Sequence, residues 1–323
     1  ARLAAEEREA RKKELVDLSI IRLKVRMDPE DVRPAEREAE DLRRRFTDVR
    51  RQLGGQTPWL SDGLIDLELA RGYVDAGTPD KAMPLFERIR GEGHLQAEVA
   101  LQLGTLHLRR GQARRAIEIL GNALENHKPD APHETVGFVE MQAKLGRALG
   151  AALELNGSTE EARNVWVKAA HAWERLMVEH VRRKNVDDSA EAFIEVGRLY
   201  YQLGRREEGI QKLLEAIEQN ESRDPSYIDA LSFLVQRGEV DAALDIFRRL
   251  IARPSRTVSE YVKTYASLWI LDLTRRAGRA PDAEAEAYLR ALDSRRIALR
   301  PPRAAAWYVP LAGYAIGRRT YEQ

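Results

Sequence analysis

The sequence contains no cysteine. This absence excludes disulfide bonds, thiolate zinc sites and a cysteine nucleophile, but it does not distinguish the cytoplasm from the periplasm. No apolar run approaches the roughly 20 residues that a membrane-spanning helix needs, and no signal peptide is visible. Because the chain begins at Ala1 rather than Met, we expect a mature or trimmed piece. A removed N-terminal anchor, and membrane association through it, stay open.

An excess of charge of one sign is also missing. The chain has 53 Lys and Arg residues against 52 Asp and Glu, so no overall positive field would attract nucleic acid. Aromatic residues make up only 7%, while Ala, Leu, Arg and Glu, all good helix formers, dominate. The composition therefore favours an all-α protein and disfavours nucleic acid as its partner.

Patterns that would carry catalysis or bind a metal are missing too. The six histidines form no His-Glu-x-x-His pair, no Gly-rich loop is followed by Lys and Ser or Thr, and no serine lies in a nucleophile elbow. We therefore predict no catalytic residue, no metal site, no cofactor and no enzyme activity.

What the sequence does contain is one pattern that recurs six times. A glycine is followed by four mostly polar residues and then by a small residue, with the same spacing each time. The glycine supplies the left-handed residue that ends one helix, the polar residues cap the next, and the small residue lets two helices approach closely. The copies are Gly77–Ala82, Gly111–Ala116, Gly157–Ala162, Gly204–Gly209, Gly238–Ala243 and Gly278–Ala283.

Further positions keep a fixed distance from the small residue. Four residues after it stands a bulky apolar residue: Phe86, Leu120, Trp166, Leu213 and Phe247, with Ala287 departing from this in the last copy. Twelve residues before it stands a second close-contact position: Ala70, Gly104, Gly150 and Gly197, then the larger Leu231 and Leu271. One helical hairpin cannot bury its apolar face alone, so we expect neighbouring hairpins to stack.

These residues resemble the tetratricopeptide repeat. Residues 97–129 match its pattern best, through Leu103-Gly104, His107, Ala116, Leu120 and Ala123, so His107 is interpreted as a structural core histidine. The resemblance covers about residues 60 to 320. It implies an all-α, right-handed α-solenoid of about six helix-turn-helix repeats that holds protein partners in a concave groove.

The repeats are unequal in length. Their small positions are 34, 46, 47, 34 and 40 residues apart, and the extra length lies in helical sequence. We predict one amphipathic helix from Asn164 to Arg183, in elongated middle repeats. Residues 59–323 are assigned to the solenoid, with Trp307, Leu311 and Tyr314 opening a partial seventh repeat.

Residues 1–58 are assigned to a separate N-terminal helical hairpin. Residues 1–27 and 31–53 form its two predicted helices, with a break at Pro29. Three interpretations stay open for it: a cap that keeps the solenoid soluble, a dimerising or partner-binding helix, and a juxtamembrane stalk.

The resemblance also implies where a partner would bind. In the family, the first helix of each repeat lines the groove, and a basic centre there would hold an extended or helical segment of acidic character. A clamp for chaperone C-termini is disfavoured, because Thr105 and Ala148 stand near the places where it needs asparagines. The alternative is that these are ordinary solvated charges. The predicted groove residues are Arg71, Thr105, Arg109, Lys144, Arg147, Arg198, Tyr201 and Gln202.

The functional prediction is a non-catalytic scaffold or adaptor in a larger assembly, from a bacterial source because Arg exceeds Lys. One alternative, suggested by the elongated repeats, is a ligand- or peptide-sensing regulatory module. Another, suggested by the Arg-rich last quarter, is an RNA-binding helical-repeat protein. The partner, the pathway and the oligomeric state stay open.

Overall fold

A computed structural model describes residues 33–53, 62–92, 96–127, 135–219, 224–253 and 260–294. Every regular element in these ranges is an α-helix. No helix among them is long and apolar enough to cross a membrane. The helices are α1 (Arg33–Leu53), α2 (Asp62–Asp75), α3 (Pro79–Ile89), α4 (Gln96–Arg109), α5 (Ala113–Asn126), α6 (Val136–Leu155), α7 (Thr159–Arg182), α8 (Val186–Gln202), α9 (Arg206–Gln219), α10 (Asp224–Arg237), α11 (Val240–Ile251), α12 (Glu260–Arg276) and α13 (Ala283–Ser294).

The described residues form two compact units, 33–123 and 124–294. In the first unit α1 packs on α2, α2 pairs with α3, and α3 contacts α4. The buried carboxylate of Asp66 on α2 binds Arg43 of α1 at 2.5 Å and Arg88 of α3 at 2.7 Å. One α2 side chain therefore connects three helices of this unit. Within the second unit α6 to α9 pack in sequence, as do α10 to α13.

The glycine at the turn of each repeat has the predicted left-handed conformation. The glycines of all six copies have φ between 67° and 86°, a conformation that glycine adopts without steric cost. The five bulky positions that the sequence identifies are buried, from Phe86 to Phe247. The predicted fold class, an all-α solenoid of helix-turn-helix repeats, is confirmed.

Small residues allow the two helices of a hairpin to meet closely. A Cβ atom placed on Gly104 would lie 2.6 Å from Leu120 Cδ2, and one on Gly150 would lie 2.8 Å from Trp166 Cε2. At Gly197 the obstacle is backbone, because a Cβ atom would lie 2.8 Å from the carbonyl oxygen of Gly209. These glycines face the bulky or small residue of the partner helix, as the spacing predicts.

The elongated middle repeats are confirmed. Helix α6 has 20 residues, α7 has 24 and α8 has 17, against 14 in each of α4 and α5. At 1.5 Å per residue α7 is about 36 Å long. Its buried side includes Trp166, Trp173 and Leu176, so the added turns lie in the packed helix rather than in loops.

The sixth copy differs from the prediction, which placed the small residue at Ala283. Ala283 is exposed, whereas Ala285 is fully buried. Counting four residues from Ala285 gives Leu289, which is also buried. The bulky residue that was missing at Ala287 is therefore present two positions later.

The cause of this shift is a longer turn. In the five earlier copies the second helix begins two residues after the glycine, whereas α13 begins at Ala283, five residues after Gly278. Pro281 lies in the added segment, and Asp282 caps the helix by accepting bonds from the backbone N–H groups of Glu284 and Ala285. Because the loop is longer, equal spacing in sequence does not give equal positions in the structure.

The N-terminal prediction is partly within the described residues. Its second helix, predicted over 31–53, corresponds to α1. The first predicted helix and the partial seventh repeat lie outside the described residues, and the boundary at residue 58 stays a prediction.

Candidate partner-binding groove

The candidate site in the second unit is built on the first helices of successive repeats. Helix α8 contacts α10, and α10 contacts α12. Helix α6 reaches α8 through two ion pairs, Lys144 with Glu191 at 3.4 Å and Arg147 with Glu195 at 2.6 Å. The inward positions of α6, α8 and α10 therefore lie side by side on one face.

A cavity of about 450 Å³ opens on this face and is called the α6–α8–α10 cavity below. Such a volume lies within the range of small ligand and peptide sites. Its lining contains three arginines and, in this described part of the chain, no carboxylate. The lining residues are Arg147, Arg198, Gln202, Ser232, Phe233, Gln236 and Arg237.

A buried glutamate holds two of these arginines in place. Glu195 is only 7% exposed, and Arg147 Nε lies 2.6 Å from its Oε2 while Arg198 Nη1 donates to its Oε1 at 2.9 Å. Burial alone would raise the pKa of Glu195, but the charges of Arg147 and Arg198 outweigh it and lower that pKa. Glu195 is therefore ionised at neutral pH, and the two guanidiniums are fixed by it.

The third arginine is held by aromatic rings instead. The Arg237 guanidinium lies 5.5 Å from the centre of the Phe233 ring and 5.7 Å from that of Tyr201. These two rings meet edge to face, with centres 5.3 Å apart. Arg237 is exposed and has no carboxylate partner among the described residues. Cation–π contact orients its charge without neutralising it.

Tyr201 contributes its ring to this cluster and its hydroxyl to another contact. The hydroxyl donates to Glu239 Oε1 at 2.5 Å, and Arg206 binds the same carboxylate at 2.6 Å. Burial, followed by the bond to Glu239, raises the pKa of Tyr201. The predicted groove residue Tyr201 therefore ties α8 to the start of α11, beside the cavity.

Lys144 is engaged by two carboxylates. Its Nζ donates to Glu140 at 2.5 Å and lies 3.4 Å from Glu191. Burial lowers the pKa of Lys144, and these two partners outweigh it and raise that pKa. Lys144 lies one turn from Arg147 on α6, but the cavity lining does not include it.

Three predicted groove residues lie in the first unit. Arg71 on α2 binds Glu68 at 2.7 Å and Glu98 at 2.9 Å. The Thr105 hydroxyl donates to the carbonyl of Leu101 in its own helix, and Arg109 is an exposed residue at the end of α4. A role for these three in binding stays a prediction.

Other residues that the sequence singles out make contacts within the chain where they are described. His107 is buried, and its Nδ1 lies 2.6 Å from Gln112 Oε1. In the last quarter, Arg275 and Arg276 bind Asp272, and Arg279 binds Asp241. No group of three or more His, Asp or Glu residues arranged to hold a metal occurs in the described ranges.

Four cavity residues were not predicted: Ser232, Phe233, Gln236 and Arg237 all come from α10, the first helix of the fifth repeat. The spacing of the repeats in the sequence indicates two of these four residues. The fourth and fifth repeats are 34 residues apart, so Arg198 and Gln202 correspond to Ser232 and Gln236. Applying the family's inward positions to the fifth repeat would have identified these two.

The fold and the repeated turn define a helical-repeat protein built from paired α-helices. The tetratricopeptide repeat family profile matches residues 230–304, and the same turn glycine and buried positions recur in the earlier repeats. Residues 230–304 therefore match the tetratricopeptide-repeat family, and the described residues have the all-α helix-turn-helix architecture of such repeats. Such repeats generally mediate protein–protein interactions and are generally non-enzymatic.

Several solved structures are similar to this chain. BtubC (BKLC) from P. vanneervenii is 15% identical, with 69% of this chain and 92% of that chain covered and a TM-score of 0.39. PilF of Pseudomonas aeruginosa is 14% identical, with 72% and 90% covered and a TM-score of 0.38. A tetratricopeptide repeat protein from Parabacteroides merdae is 21% identical, with 78% and 87% covered and a TM-score of 0.37.

A comparison with curated protein sequences finds no significant match.

Proposed function

We propose that the α6–α8–α10 cavity binds an acidic segment of a partner protein, and that the chain acts through this contact as a non-catalytic scaffold or adaptor. The observation that carries the proposal is a cavity with three arginines and no carboxylate in its described lining. Arginine presents five N–H donors in a planar fork that matches a carboxylate. A partner Asp or Glu side chain is the chemistry that this lining complements.

The charge around the cavity supports the same conclusion. Glu195 pairs with Arg147 and Arg198, and Asp229 Oδ1 lies 3.5 Å from Arg198. These two carboxylates face three guanidiniums, so the local balance stays positive. Because Arg237 has no carboxylate partner among the described residues, it is the cation with which an incoming acidic side chain forms a new ion pair.

The structure also decides which arginine a test should change. Replacing Arg147 or Arg198 would remove one of the two arginine partners of the buried Glu195, and removing one member of a buried ion pair commonly costs about 3–5 kcal/mol of stability. Arg237 is exposed and has no such role. Arg237→Glu therefore changes the cavity charge with little effect on folding.

The experiment uses a random library of ten-residue peptides selected on the immobilised protein. Wild type should enrich Asp and Glu, and Arg237→Glu should lose that enrichment. The control is Arg163→Glu, which makes the same charge change at an exposed residue of α7, outside this cavity. Circular dichroism verifies that both variants fold. Enrichment without acidic residues, or equal enrichment in Arg237→Glu, would contradict the proposal.

A further inference from the structure

The long helix α7 of the second unit exposes a stripe of valines. Among the described side chains, Val167, Val178 and Val181 are 36%, 63% and 46% exposed. Val178 and Val181 follow Val167 by 11 and 14 residues, which is about three and four turns of an α-helix. The three valines therefore lie on one side of α7. Exposed apolar residues that share a stripe mark an interaction surface, whereas scattered single ones do not.

Basic side chains lie beside this stripe. Lys168, Arg175 and Arg182 are exposed and follow one another at intervals of seven residues, which is about two turns. The surface formed by these three residues and the three valines is called the α7 face below. After its first turn, α7 has four Lys or Arg residues against two Glu, so the charge of this face is positive.

The two glutamates are already engaged within the chain. Glu174 accepts a hydrogen bond from the Tyr200 hydroxyl at 2.5 Å. Glu179 pairs with Arg182 at 2.8 Å and with Arg183 at 2.5 Å. One carboxylate thus serves two guanidiniums, and the positive charge of the α7 face is only partly neutralised from within.

A small cavity of about 150 Å³ opens between α7 and α8 and is called the α7–α8 cavity below. Its lining includes Val167, Ala170 and His171 of α7 together with Tyr200 and Leu203 near the end of α8. Sites for small molecules usually exceed about 300 Å³, whereas about 150 Å³ holds a group of the size of benzene. The cavity therefore suits one apolar side chain of a partner, beside the valine stripe.

We infer that the α7 face docks an amphipathic α-helix of a partner protein, with acidic residues beside its apolar stripe and one apolar side chain in the α7–α8 cavity. A helix presents apolar side chains every three or four residues along one side, which matches a straight stripe of valines. The described linings of the two cavities share no residue. This inference therefore does not depend on the proposed function.

Two other occupants of the α7 face match it less well. A second copy of this chain would bring two basic stripes together, and like charges in contact oppose association. An anionic lipid surface would cover the valines, but it has no side chain with which to fill the α7–α8 cavity. An acidic amphipathic helix complements the basic stripe, the valines and the cavity at once.

The test selects helical peptides of about 20 residues, which is long enough to form a helix in solution, on the immobilised protein. The library has an alanine-rich background and is randomised along two adjacent stripes. Wild type should enrich Leu, Ile or Phe on one stripe and Asp or Glu on the other. The most enriched peptide is then measured by fluorescence anisotropy against wild type and four variants, and circular dichroism verifies that each variant folds.

Two variants change the α7 face. Val178→Gln should weaken binding about tenfold, because it removes an apolar side chain that the partner would bury. Lys168→Glu should weaken binding about threefold, since an exposed ion pair contributes less, and added salt should reduce its difference from wild type. The controls are Leu155→Gln at the end of α6, where the leucine is 55% exposed, and Arg114→Glu on α5. Both controls should bind as wild type does.

Several results would overturn the inference: no enriched peptide, enrichment without acidic residues, or equal binding by Val178→Gln and wild type. Sedimentation equilibrium and flotation with vesicles of phosphatidylcholine and phosphatidylserine test the other occupants. A wild-type dimer that Val178→Gln abolishes would assign the α7 face to a second copy. Vesicle binding that Val178→Gln abolishes would assign it to lipid. Either result would also overturn the inference, and the proposed function would stand in each case.

Discussion

The contact between Gly104 and Leu120 leads to a sharp prediction about the first unit. A Cβ atom on Gly104 would lie 2.6 Å from Leu120 Cδ2, whereas ordinary van der Waals contact begins at 3.4 Å. Leu120 is fully buried, so it has no open space into which to move. Gly104→Ala should therefore overpack the hairpin formed by α4 and α5.

Two opposing effects determine how much Gly104→Ala changes the free energy of unfolding. Alanine is favoured over glycine in a helix interior by about 1 kcal/mol, and overpacking a core costs about 1–3 kcal/mol. Since the clash involves a buried branched side chain, we expect overpacking to win by about 1–2 kcal/mol. For a unit of this size the melting temperature should fall by about 5–10 °C.

Gly121→Ala is the matched control, because Gly121 lies in the middle of α5 and a Cβ atom there would meet nothing within 4 Å. This variant keeps the helix-propensity gain without the clash, so it should be more stable than wild type by about 0.5–1 kcal/mol. Comparing Gly104→Ala with Gly121→Ala therefore separates the cost of overpacking from the gain in helix propensity within the hairpin formed by α4 and α5.

The assay is thermal and urea unfolding followed by circular dichroism, with amide hydrogen exchange to locate the change in the first unit. A double variant with Leu120→Ala tests the cause, because removing the obstructing side chain should cancel most of the added cost of Gly104→Ala. If Gly104→Ala and Gly121→Ala shift the midpoint equally, the close approach of α4 and α5 is wrong.

Three further predictions concern charges and turns. Asp66→Asn should lower the unfolding free energy by about 2 kcal/mol in urea titrations, because Asp66 is buried and joins α1 and α3 to α2. Lys184 has φ of 57°, so Lys184→Gly should stabilise by about 0.5–1 kcal/mol while Gly157→Ala destabilises by about 1 kcal/mol in thermal melts. The pKa of Glu195 is lowered in the folded state. The ionised Glu195 carboxylate therefore contributes its full stabilisation above the ordinary pKa of glutamate, and this stabilisation is lost as the pH falls through the lower pKa of the folded state. The unfolding midpoint of wild type should therefore fall between pH 5 and pH 3 by more than that of Glu195→Gln, and parallel pH profiles would refute this role of Glu195.

The repeat positions were predictable because they depend on local chemistry. A helix that must turn back within two or three residues needs a left-handed residue, so Gly77 and its five equivalents mark the turns. Two helices in close contact need small residues, so Gly104, Gly150 and Gly197 mark the contacts. Equal spacing in sequence failed to predict the buried positions only in the sixth repeat, where a longer turn around Pro281 shifts them by two residues.

The candidate site was only partly predictable. Arg147, Arg198 and Gln202 were identified by analogy with the family, whereas Phe233 and Arg237 were not. Nothing in the order of residues shows that Arg198 is paired with a buried Glu195 and that Arg237 has no carboxylate partner among the described residues. Such pairings depend on which side chains of separate helices meet.

The sequence by itself determined the class of this protein: an all-α chain of helix-turn-helix repeats with elongated middle repeats. It could do so because glycine turns, small contact residues and helical periodicity act over a few residues. The tertiary structure alone decided which charges remain available to a partner. Ion pairing and burial depend on contacts between residues distant in sequence, and these contacts left Arg237 exposed while they enclosed Glu195.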